Sequence, residues 1–135
     1  MANGREWTLY TIGYGGLTPA QLVDVLRRFN IPVLVDVRYS PRTRIPGFNR
    51  VALEKFCATQ GLTYLHVQSL GNERYKTDGI KLVNQDDGLM VLAHKLSELG
   101  DVAIMCACRV AAGCHRSYIA KAMVESYPLL KVVDL

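Results

Sequence analysis

The apolar positions of this chain change period repeatedly, and each change marks an element. Trp7 to Ile12 (WTLYTI) reads as a strand. In Thr18 to Asn30, Leu22, Val25, Leu26 and Phe29 fall at i, i+3, i+4 and i+7, one face of a helix. Its start is marked by Thr18 as N-cap, Pro19 at the first helical position and Gln21 completing a capping box. Pro32 to Val37 (PVLVDV) is short and nearly all apolar, the pattern of a strand covered on both faces. Arg50 to Gln60 is a second helix, stopped by Gly61 at C′. Thr63 to Val67 is a third strand, and Gly71 to Asp87, polar and without period, reads as a long loop. Gly88 to Leu99 is a third helix, with Leu89, Leu92, Leu96 and Leu99 on one side and Gly100 as its stop. Asp101 to Cys106, Cys114 to Tyr127 and Leu130 to Leu135 follow as strand, helix and strand.

Strands alternating with helices predict an α/β protein: a single three-layer (Rossmann-like) domain over residues 1–135. Its sheet is mostly parallel, with about five strands flanked by helices and joined by right-handed crossovers. In such sheets ligands bind outside the C-terminal ends of the strands. Four segments are thereby sent to one edge. They are Gly13-Tyr14-Gly15-Gly16, Asp36-Val37-Arg38, Ser69-Leu70-Gly71 and the run from Cys106 to Arg116.

Composition narrows the classes. With 135 residues, 50% apolar and 21% charged, the chain suits one soluble domain with a real core and excludes disorder. No apolar run approaches the roughly 18–20 residues of a membrane span, and Met1 to Trp7 is polar, without a signal peptide's apolar region. Of the cysteines, Cys57, Cys106, Cys108 and Cys114, three sit within nine residues, so reduced thiols in a cytoplasmic protein are expected rather than two disulfides. The net charge of +4 comes from 16 Lys+Arg against 12 Asp+Glu. Arg38, Arg42, Arg44 and Arg50 lie in one stretch, RYSPRTRIPGFNR, that has no acid. Removing it leaves 12 basic and 12 acidic residues, so the excess resides in one loop.

Arginine offers planar, bidentate donors suited to phosphate or carboxylate. Pro41 and Pro46 stiffen the loop, and Phe48 and Tyr39 either stack on a base or pack beneath it. A nucleotide, another small anion or nucleic acid fits such a loop, and a solvated loop with its arginines paired to helix carboxylates is the plainer reading. Asp36, at the end of an apolar strand, is costly to bury unless paired. Arg38, two residues on, is its natural partner, and a general base or the group that orients one is the functional alternative.

Cys106-Ala-Cys108-Arg109-Val-Ala-Ala-Gly113-Cys114-His115-Arg116 joins a strand to a helix. Gly113 permits close backbone approach, and the helix start offers free N–H groups and a positive dipole end to an anion. Cys114 there, beside His115 and Arg116, is a candidate low-pKa thiol. The spacing matches neither the Cys-x5-Arg phosphatase loop nor a Walker A loop. Core packing, a reactive thiol, and zinc-type binding by Cys106, Cys108, Cys114 and His115 remain the readings of the cysteines. Cys57, in the second helix, reads as core. His66 and His94 read as packing or surface groups. Tyr14 is placed to point a hydroxyl into the cleft, and Glu73, Arg74, Tyr75 and Lys76 form either a lid or a solvated loop.

Four stretches, TIGYGG, LVDVRYSPRTRIPGFN, GLTYLHVQSLGN and IMCACRVAAGCHRSYIAKAM, resemble in order the family named for domain of unknown function 488. The most specific parts are Asp36-Val37-Arg38 with Pro41, and Cys106 with Cys114-His115-Arg116. Many relatives carry Ser at Thr43, which keeps the hydroxyl, and an acid near Cys108. The resemblance implies an α/β fold and a shared site at these residues, and supplies no reaction.

The expected site has Asp36, Cys106 and His115 as catalytic groups, and Arg38, Arg42, Thr43, Arg44, Gly113, Cys114 and Arg116 around an anion. Tyr14, Phe48 and Arg74 line the cleft. The expected ligand is a phosphate-bearing small molecule or nucleic acid, bound or processed without a cofactor, metal or membrane. A non-catalytic nucleic-acid-binding module and a metal or thiol-redox protein are the competing readings.

Overall fold

The computed structural model describes residues 7–108 and 113–135. The polar start, Met1 to Glu6, and Arg109 to Ala112 of the cysteine-rich run lie outside the described residues. The elements are β1 (Thr8–Gly13), α1 (Pro19–Arg28), β2 (Val33–Asp36), α2 (Arg50–Thr59), β3 (Thr63–His66), a 3-10 turn (Gln68–Leu70), α3 (Gln85–Leu99), β4 (Val102–Cys106), α4 (His115–Ser126) and β5 (Lys131–Asp134). Every strand pairing is parallel, in the order β3-β2-β4-β1-β5. Among the described residues, no helix is long and apolar enough to cross a membrane.

Alternation along the central strand β4 builds the three layers. Val102, Ile104 and Cys106 enter one core with Leu92 and Leu96 of α3 and Ile119 and Met123 of α4. Ala103 and Met105 enter the other, with Leu22 and Leu26 of α1 and Leu53 and Cys57 of α2. Each fully buried leucine contributes roughly 1.5–3 kcal/mol, so both faces of β4 are held by helix packing. The capping box at Thr18 is present, and Asn30 just beyond α1 turns into the left-handed region at φ 55°.

The region from Gly71 to Asp87 is more ordered than its polarity predicts. Asn72 pairs with Leu82 across an isolated antiparallel bridge, and its Oδ1 accepts from the N–H of Arg74 (3.0 Å) and Lys81 (2.9 Å). This buried amide, with backbone bonds from Glu73 to Lys81 and from Val83 to Gly71, closes the loop where hydrophobic period gives no signal. Helix α3 begins three residues before Gly88, because Asn84 caps it by accepting from the Asp87 N–H and Asp86 and Asp87 favour its positive end. Gly88 then lies inside the helix, where a Cβ would come 2.5 Å from Leu70.

Because the strands are parallel, Gly13, Asp36, His66 and Cys106 finish on one edge. Gly13 is level with Cys106, and a Cβ on it would lie 1.4 Å from the carbonyl oxygen of Cys108. Only glycine lets Cys108, just after β4, lie against the end of β1. Gly13→Ala is therefore expected to destabilise the fold by about 3 kcal/mol or more. Gly61→Ala, in open space at φ +73°, meets only the backbone penalty of about 1–2 kcal/mol. Equal denaturation midpoints for the two variants would contradict the close approach at Gly13.

Candidate functional site

The edge is organised around a buried ion pair. Asp36 is 0% exposed and Arg38 6%. The Arg38 Nε donates to Asp36 Oδ1 (2.9 Å) and Nη2 to Oδ2 (2.6 Å), a bidentate fork, while the Arg38 backbone N–H adds a third bond to Oδ1 (3.0 Å). Tyr64 of β3 donates its hydroxyl to Oδ2. Burial would lower the Arg38 pKa, but the hydrogen bond and charge of Asp36 outweigh it and hold the guanidinium above its ordinary value. Burial, and then the negative carboxylate, push the Tyr64 hydroxyl up, so it remains a donor. Asp36, expected as a catalytic base, is occupied on both oxygens by these partners and serves the pair. The alternation of the sheet also separates it from Cys106. Asp36 is level with Met105 on the α1–α2 side, whereas Cys106 faces α3 and α4.

Arg38 also fixes the arginine loop. Its Nη1 donates to the carbonyl of Phe48 (2.7 Å) and to the Tyr14 hydroxyl (3.4 Å). Phe48 is fully buried and stacks on Tyr14 at 4.3 Å, so it packs beneath the loop and is not free to stack on a base. The Arg50 N–H closes the loop on the Pro41 carbonyl (3.0 Å). With its apolar anchor inward, the loop turns Arg42, Arg44 and Arg50 to solvent. Among the described residues, no carboxylate lies within ion-pair distance of these three. Arg42 and Arg50 line a cleft of about 540 Å³ with Asn49, His66 and Gln68. Arg44 and Thr43 stand outside that wall, and the Thr43 hydroxyl accepts from the Ile45 N–H (3.2 Å) within the loop. His66, at the end of β3, donates Nε2–H to the Arg38 carbonyl (2.8 Å).

The cysteines occupy the other side. Cys106 ends β4 and Cys114 is the N-cap of α4, with their sulfurs 2.7 Å apart. The hydrogen bond from Cys106 lowers the Cys114 pKa well below its ordinary value, against the effect of burial. Contacts with His115 and Cys108 and the Arg116 N–H reinforce it. The same bond, then burial, raises Cys106, which keeps its proton. Burial, and then Cys114, raise Cys108. Cys57, remote in α2, is raised to about 11 by burial alone. His115 donates Nε2–H to the Val37 carbonyl (2.7 Å), tying α4 to the end of β2.

Cys106, Cys108 and His115 share a cleft of about 240 Å³ with Tyr14, Arg38 and Arg42. Cys108, Cys114 and His115 border a second, of about 440 Å³, with Gly113, Arg74 and Asn72. Tyr39 stacks on Tyr75 at 5.5 Å, and both line the smaller cleft. Gly113 adopts φ +77°, and among the described residues no atom lies within 4 Å of a would-be Cβ, so its backbone conformation calls for glycine. Arg116, expected to hold an anion, is 1% exposed and donates Nη1–H to Thr11 Oγ1 (2.6 Å), which donates onward to Asp134. It anchors α4 beneath the edge, and its Nε has no partner among the described residues. Tyr64 and Asn72 were not signalled by the sequence as site residues. Only the polar tip in an alternating strand and the Gly-Asn turn pair hinted at them.

Cys106, Cys114 and His115 place two sulfurs and a ring nitrogen within 4.8 Å of one another, the donor types of a zinc site. Two thiolates on one tetrahedral zinc stand about 3.8 Å apart, given Zn–S bonds of about 2.3 Å. The sulfurs here are about 1 Å closer than that, so this arrangement is not that of two thiolates on one zinc.

Asp36→Asn leaves a buried guanidinium unpaired and is expected to cost about 3–5 kcal/mol, while Asp36→Leu with Arg38→Met lies closer to wild type. Urea unfolding would reveal a weak pair if the single variant matched wild type. One thiolate absorbance should persist from neutral pH to below about pH 6, where an ordinary thiol near 8.5 is protonated. Cys114→Ser should abolish it, and an unchanged titration would refute a thiolate at Cys114.

Comparison with proteins of curated function yields no match. The family profile described as "Domain of unknown function DUF488" matches residues 18–123, from the N-cap of α1 to the last turns of α4. That span includes both halves of the site, the Asp36–Arg38 pair and the Cys106–Cys114 pair, and covers most of the chain. The chain therefore belongs to the DUF488 family.

Proposed function

We propose that this protein binds a phosphate-bearing ligand, a nucleotide or a segment of nucleic acid, along the C-terminal edge of its sheet. One observation carries the reading. Arg42 and Arg50 are exposed, lack an acidic partner among the described residues, and line the 540 Å³ cleft. Exposed arginines left without carboxylates suit an anionic ligand whose oxygens complete their hydrogen bonds. The loop that carries them is closed by Pro41 and anchored by Phe48, so little ordering entropy is lost on binding. Arg42 also lines the smaller cleft with Cys106 and His115, which brings a bound phosphate near the thiols. In this reading Asp36 and Arg38 are positioning residues, and Cys106 and His115 border the bound phosphate.

Fluorescence titration with a panel of nucleotides and a short single-stranded oligonucleotide tests the proposal. Arg42→Ala and Arg50→Ala should each weaken binding by roughly 5–30-fold, about 1–2 kcal/mol. Affinity should fall steeply with salt, more so for the oligonucleotide. Arg28→Ala, at the far end of α1, serves as the control and should leave affinity unchanged. No saturable binding, or binding indifferent to both loop variants, would sink the reading.

A further inference from the structure

We propose that Cys106 and Cys114 are a redox-active dithiol, oxidised to an intramolecular disulfide by small-molecule disulfides that enter the cleft beside Cys108. This goes beyond the phosphate-ligand reading and does not depend on it.

The two sulfurs stand 2.7 Å apart, about 0.7 Å beyond the length of a disulfide bond. Each cysteine sits on a rigid support, Cys106 at the end of the central strand and Cys114 at the N-cap of the 12-residue helix α4. The pair is nearly shielded from bulk solvent, at 1% and 4% exposure, yet Cys106 lines one of two adjoining clefts and Cys114 the other. Exposed Cys108 and half-buried His115 border both clefts and mark the path by which a reagent reaches the pair.

The chemistry balances without a further co-reactant. The Cys114 thiolate attacks one sulfur of R–S–S–R, forming Cys114–S–S–R and releasing R–S⁻. Cys106 gives its proton to the released thiolate and attacks the Cys114 sulfur, and the second R–S⁻ leaves and is protonated by solvent. Two protein thiols are oxidised by two electrons, and one small disulfide is reduced to two thiols. The hydrogen bond between the sulfurs orders the roles: Cys114 attacks and Cys106 resolves. Neither role falls to Cys57, which lies in the opposite core among α1 and α2.

The test equilibrates the full-length protein in buffers of oxidised and reduced glutathione, alkylates the remaining thiols and maps them by mass spectrometry. The expected result is loss of two alkylatable thiols and a Cys106–Cys114 cross-link, reversed in reducing buffer. Cys106→Ser should instead trap one glutathione on Cys114, and Cys108→Ser should still form the cross-link. The wild-type map decides the matter even if a variant fails to fold. Three outcomes would overturn the proposal: thiols that stay reduced across the series, a cross-link through Cys108 or Cys57, or a stoichiometric metal found by elemental analysis to protect Cys106 and Cys114. Nucleotide titration is unaffected by these arms, so failure here is distinguishable from failure of the ligand reading.

Discussion

A carboxylate buried at the end of a central strand must be neutralised from within, and the site edge is built around that requirement. Asp36 is satisfied by a bidentate arginine two residues along the same chain and by the Tyr64 hydroxyl. Arg38, once committed to Asp36, spends its remaining donors on the Phe48 carbonyl and the Tyr14 hydroxyl. Four parts of the chain meet at this one pair: the loop after β1, the end of β2, the arginine loop and β3. In a low-dielectric setting each bond strengthens its neighbours, so the group behaves as a unit. The exposed arginines depend on it, because their loop is held by Phe48.

The second constraint lies on the opposite side of the sheet. Gly13 admits the Cys108 carbonyl at a distance no side chain would tolerate, and this lets the chain just after β4 lie across the end of β1. Arg116 anchors the start of α4 on Thr11 from below, and His115 ties it to Val37. Cys114 is thereby carried to Cys106. The two halves of the edge communicate through the shared cleft in which Arg38 and Arg42 face Cys106 and His115.

The fold was largely legible because it rests on periodic burial. The alternation of strand and helix, the capping box at Thr18 and the stops at Gly61 and Gly100 all reappear in the structure. The polar stretch from Gly71 was not legible, since the Asn72 amide and a few cross-loop backbone bonds order it and leave no periodic trace. The match of the family profile over residues 18–123 agrees with the resemblance seen in the motifs.

The sequence by itself determined the class of fold, the edge on which the unusual residues gather and the concentration of net charge in one loop. These follow from hydrophobic period, from the parallel direction of the strands and from counting charges. Only the tertiary structure decided which side chain serves which task. A strand's period of two sends Asp36 and Cys106 to opposite faces, although both end neighbouring strands. Arg38 and Arg116 are drawn inward to neutralise or anchor, while Arg42 and Arg50 remain outside. Arginines that look alike in a sequence are separated by partners that only folding brings within reach.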